Sequence, residues 1–62
     1  MEKREIRRIG FNHGFRDAMR CINNLMLNDF QIDTLTQLNG KKEFIQGWKN
    51  GQEEYKRYNS IR

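Results

Sequence analysis

The sequence predicts an all-α fold of two long helices, and three observations carry that expectation. Apolar residues recur at intervals of three and four over two long stretches. The chain contains no proline, and four of its five glycines fall inside those stretches as matched pairs. Such periodicity marks amphipathic helices, and without proline nothing in the chain forces a break. The glycines are the puzzle, because each costs a helix interior roughly 1 kcal/mol relative to alanine.

The first helix is expected over residues 3 to about 27. Phe11, Phe15, Met19, Ile22 and Met26 form its apolar stripe, beside a row of small residues, Gly10, Gly14, Ala18 and Cys21. Asn12, His13, Arg16, Arg20 and Asn23 fall on the opposite, basic arc. The connector LNDFQIDTLTQLNGK is expected to hold a short helix, capped by Asp33 or Thr34 with Gln37 completing a capping box from Thr34, and ended by Asn39-Gly40. Alternation in DFQID also fits a strand, but a strand without a mate leaves its backbone unpaired, so the short helix is preferred. Phe30, Ile32, Leu35 and Leu38 are expected to fold over the open side of the helix pair.

The second long helix is expected over residues 41 to about 59, with Phe44, Trp48, Gly51, Tyr55 and Tyr58 on one stripe, Gly47 at its edge and Ile45 on the flank. Lys49 with Glu53, and Glu53 with Arg57, are i,i+4 charge pairs that add slight support. The two segments share an echo: IGFNHGFRDA at residues 9–18 and IQGWKNGQEE at residues 45–54. Each sets two bare backbone patches one turn apart. Gly10, Gly14, Gly47 and Gly51 therefore predict a close crossing of the two helices, with Phe11, Phe15, Trp48 and Tyr55 covering it from the sides.

With 62 residues, 35% hydrophobic, and a mean hydropathy of −1.05, the chain fits one small domain (1–62) with a thin core. Seven aromatics argue against plain disorder. The lone Cys21 allows no intrachain disulfide, the charged MEKREIRRIG start lacks the apolar segment of a secretory signal, and no run is long enough to cross a membrane. A cytoplasmic location is expected.

Catalysis is not expected. His13 and Cys21 are the sole members of their types and stand about two turns apart on the expected helix, out of hydrogen-bond reach. No metal site is expected, since zinc would need more His and Cys ligands than the chain has. No cofactor site is expected either: GFNHG and GWKNG lack the lysine-serine or lysine-threonine end of a phosphate-binding loop. A DNA-reading helix-turn-helix calls for a short turn between compact helices, whereas this chain has a long connector. The net charge of +4 and sequence pI of about 9.6 are compatible with a polyanionic partner. Arg16 and Arg20, with His13 beside them, suit phosphates and exposed bases; Arg8 extends the charge and Lys49 belongs to a second basic patch.

GFNHG, followed by a connector and then FIQGWKNG, resembles the bacterial ribosome modulation factor family, whose short basic members carry Gly-aromatic-x-x-Gly and, later, aromatic-aliphatic-x-Gly-Trp-basic elements. Gly10, Phe11 and Gly14, then Phe44, Ile45, Gly47, Trp48 and Lys49, occupy those positions. The resemblance implies a two-helix, non-enzymatic protein that binds the ribosome near the 3′ end of small-subunit rRNA and blocks translation. Arg16, Arg20 and Lys49, then Arg8 and His13, would contact the rRNA. The rival expectation is a phage- or mobile-element-type protein that docks on a host protein through aromatics such as Tyr55 and Tyr58. A homodimer through the glycine stripes would suit either function.

Overall fold

Three helices form, and their order follows the chain. The structure, a computed structural model, describes residues 2–60. Helix α1 spans Lys3–Met19, α2 spans Asp29–Gln37 and α3 spans Lys41–Ser60; no strand forms among the described residues. The two long helices pack together as expected, and DFQID lies within α2.

Glycine governs the pairing of α1 with α3. A Cβ on Gly10 would strike the carbonyl oxygen of Phe44, and one on Gly14 that of Trp48. On the facing helix, a Cβ on Gly47 would strike the carbonyl oxygen of Arg7, and one on Gly51 that of Phe11. Each helix thus lays backbone against the other's bare glycines. The partners ascend together, Gly10 by Phe44 and Gly14 by Trp48, so the helices run parallel. They stay in register for about three turns, from the Arg7–Glu43 ion pair (3.6 Å) to the Trp48–Asp17 hydrogen bond (2.9 Å).

A parallel pair needs a long return. By that register Lys41 is level with about Arg4, so the chain must travel back about 22 Å from Met19 to start α3. The connector achieves this with α2, about 13 Å of helix, placed between two left-handed turns. Cys21 adopts φ 61° and Asn39 φ 53°. In the first turn, Cys21 N–H donates to the Ala18 carbonyl and Ile22 N–H to that of Asp17 (3.0 and 2.8 Å). In the second, Asn39 N–H donates to Thr36 and Gly40 N–H to Leu35 (3.2 and 2.9 Å). Both are Schellman closures, which satisfy the last carbonyls of a helix.

Several expectations are corrected here. Helix α1 stops at Met19 rather than near residue 27, so Ile22, Asn23 and Met26 leave its faces, and Met19 and Met26 are exposed. The cause is the Cys21 turn together with Gln52. Buried on α3, Gln52 donates from Nε2 to the carbonyls of Gly14 (2.7 Å) and Ile22 (3.1 Å), taking a carbonyl that a longer helix would have used. The capping box of α2 is built by Asn28 and Gln31 rather than by Asp33 or Thr34 with Gln37. Thr34 lies inside the helix, where its hydroxyl donates to the Phe30 carbonyl. Of the four residues expected to cover the helix pair, Leu35 does so, joining Ile6 and Phe44 with Leu25 and Leu27 against them. Phe30, Ile32 and Leu38 remain exposed, as does Tyr58. Asp17 accepts the indole N–H of Trp48 across the seam.

Three substitutions test these contacts. Gly47→Ala should destabilise by at least about 2 kcal/mol although alanine favours helix, because the added methyl meets backbone that cannot give way. Gly40→Ala should cost less than half as much, since its methyl meets the movable tip of the Ile6 side chain (2.5 Å). Urea unfolding of both variants checks the order. Cys21→Gly should stabilise by about 0.5–1 kcal/mol, because relief of the left-handed strain exceeds the extra freedom of the unfolded chain; a lower urea midpoint would contradict this.

Candidate nucleic-acid interface

The α1–α3 seam has two unlike edges. Helix α2 and the connector cover one of them. There Leu35 meets Ile6 and Phe44, and a cavity of about 190 Å³ opens between Ile9 and His13 of α1 and Phe30 and Thr34 of α2, with Leu38 from its C-cap. The other edge carries no part of α2. Its groove, about 310 Å³, is bounded by Arg4, Arg7, Arg8 and Phe11 of α1 and by Gly47 and Asn50 of α3.

The basic residues singled out from the sequence divide among three surfaces. Arg8 lies on the open edge with Arg4 and Arg7. His13 lies on the covered edge, its ring 5.4 Å from that of Phe44, and its Nδ1 accepts from Arg16 Nη2 at 3.2 Å. Arg20, four residues beyond Arg16, follows at the end of α1 as its C-cap residue. Lys49 sits apart on α3, where it borders an open depression with Lys41, Lys42, Ile45 and Gln46. At about 100° per residue, Arg8 is rotated about 80–140° away from Arg16, Arg20 and His13. The five do not form one patch.

The helix-packing residues do come together. Gly10, Gly14, Gly47, Gly51, Phe44 and Trp48 are buried at the seam, and Phe11 is half-buried on its open edge. Both glycine stripes are used within one chain, so a second copy would have to bind elsewhere.

Arg4 and Arg7 were missed by reading α1 as a single polar arc. For Arg4 the signal lay in the spacing: Arg4, Arg8, Phe11 and Phe15 fall at i, i+4, i+7 and i+11, one continuous helical stripe. Parallel pairing also gathers Lys3, Arg4, Arg7 and Arg8 with Lys41 and Lys42 at one end of the molecule, where Glu2, Glu5 and Glu43 are the acidic residues. Both helix N-termini lie at that end, each equivalent to roughly half a positive charge.

Among the described residues, no three His, Cys, Asp or Glu side chains gather in a way that would hold a metal, and no helix is long and apolar enough to cross a membrane. No protein-family model matches the chain, and no curated protein or solved structure matches it significantly.

Asp17→Ala tests the tie across the seam. It leaves the Trp48 indole N–H without its acceptor while the buried indole stays in place, so a loss of about 1–2 kcal/mol in urea unfolding is expected. Unchanged stability would show that the hydrogen bond contributes nothing.

Proposed function

We propose that this chain is a non-enzymatic RNA-binding protein that acts on the ribosome as a translation inhibitor, in the manner of the ribosome modulation factor family it resembles. One observation carries the reading: the parallel helix pair concentrates six cations where two helix N-termini already contribute positive potential. First helical turns ordinarily favour acidic residues. This chain places Lys3 and Arg4 beside Glu5 in one first turn and Lys41 and Lys42 beside Glu43 in the other, so cations outnumber carboxylates in both. The arrangement costs the fold some stability and is relieved when a polyanion neutralises it. Phosphate binding releases counterions, so the association would weaken steeply as salt rises.

A protein target is the second reading, and the apolar cavity between α1 and α2 favours it. Phe30 is 78% exposed at its rim, with Ile9 and Leu38 nearby. Exposed aromatic and aliphatic groups around a cleft are ordinary anchors for a partner chain.

Sedimentation separates the two. In a sucrose gradient of bacterial lysate, the tagged chain should travel with small subunits or ribosomes at low salt and return to the top at high salt. Retention at the top even at low salt, with a ribonuclease-resistant partner, would contradict the ribosomal reading and favour the protein target.

A further inference from the structure

The geometry points to the open edge of the α1–α3 seam as a binding track for single-stranded RNA, with Arg4, Arg8 and Asn50 holding the phosphate backbone and Phe11 offering a face for a base. This rests on the RNA reading above and names its site.

Three features meet there. The first is a groove of about 310 Å³, at the low end of the roughly 300–1,000 Å³ typical of ligand pockets. Its walls come from both helices and α2 does not cover it. The second is charge left available. Two carboxylates of α3 are already engaged, Glu43 by Arg7 (3.6 Å) and Glu54, rather than the expected Glu53, by Arg57 (3.5 Å). Arg4 and Arg8 have no acidic partner among the described residues. The amide of Asn50 adds donors on the opposite wall.

The third feature is aromatic. Phe11 borders the groove and begins a row along the seam: its ring lies 6.4 Å from that of Phe15 at 18°, and Phe15 meets Tyr55 edge-on at 5.4 Å. All three are half-buried, held by the seam yet partly open. A positive groove running into aromatic faces is the combination that binds single strands, whose unstacked bases can lie on the rings. A duplex hides those faces within its own stack. Arg16, Arg20 and His13 lie around the helix from this track, where the ring facing His13 is the buried Phe44.

The test is fluorescence anisotropy with a labelled, unstructured RNA of about 12 nucleotides, titrated from about 50 to 300 mM KCl. Arg4→Ala/Arg8→Ala leaves the Arg7–Glu43 pair intact. It should weaken binding about tenfold and reduce the steepness of log K against log salt by about 1.4, two phosphates at about 0.7 each. Phe11→Leu should weaken binding by about tenfold with the salt slope unchanged, the loss of one stacked base. Asn50→Asp, an exposed change that circular dichroism should show to be fully helical, should also weaken binding and serves if Phe11→Leu unfolds. Arg16→Ala/Arg20→Ala should bind as the wild type does. Loss of binding in Arg16→Ala/Arg20→Ala, with Arg4→Ala/Arg8→Ala unaffected, would overturn the site while leaving RNA binding in place. Tighter binding of a duplex of equal length, indifferent to Phe11→Leu, would overturn the single-strand assignment. Absence of salt-sensitive binding to either RNA would overturn the site and the RNA reading together.

Discussion

Backbone laid against glycine, twice in each direction, is the contact on which the rest of the molecule depends. Gly10, Gly14, Gly47 and Gly51 together forgo roughly 4 kcal/mol of helix propensity. They return it as close approach, which excludes water from two helix surfaces that have few large apolar side chains to offer. Only Ile6, Leu35, Phe44 and Trp48 are buried hydrophobics among the described residues. The molecule is correspondingly thin, 12 Å along its shortest principal axis. At the seam facing backbone already fills the place a glycine Cβ would take, so no side-chain layer fits between the helices there, and polar ties carry part of the load. Trp48 reaches Asp17, and Gln52 satisfies two carbonyls from its buried position.

The direction of the pairing has consequences at both ends of the chain. Parallel helices cannot be joined by the two-to-five-residue loop of an antiparallel hairpin, so the connector must be long and must be closed by sharp turns. Cys21 and Asn39 provide those turns through left-handed backbone, which asparagine tolerates better than cysteine does. The same direction aligns two helix dipoles and brings the cations of both first turns to one pole. Electrostatics that would have been dispersed in an antiparallel pair becomes a local feature of the surface. Packing, connection length and charge distribution therefore share one cause.

The long helices were legible because their signals are local and repeated. The GFNHG and GWKNG pairs announced the seam, and Asn39-Gly40 announced the end of α2, since asparagine and glycine serve a Schellman turn well. The end of α1 was hidden. Periodicity continues through Ile22 and Met26, and a cysteine at a left-handed position carries no recognisable mark. Its cause lies in Gln52, thirty residues further on, whose side chain claims the Ile22 carbonyl. The cap of α2 was misplaced because Thr34 and Gln37 have capping-box spacing, as do Asn28 and Gln31, and spacing alone does not choose between them. Helix direction was also unread, although a connector too long for a hairpin carried that information. Without the direction, Arg4 and Arg7 could not be seen to share a groove with Asn50.

The measurement that bears most directly on this account is a nuclear Overhauser spectrum of the isotopically labelled chain, read at the glycine Hα protons. A parallel seam gives contacts from Gly10 to Phe44, from Gly14 to Trp48, and from Gly51 to Phe11 and Phe15, with partners rising together along both helices. Cross-helix contacts that run in opposite order, with Gly10 beside Gly51 and Gly14 beside Gly47, would contradict the parallel seam and the positive pole built on it.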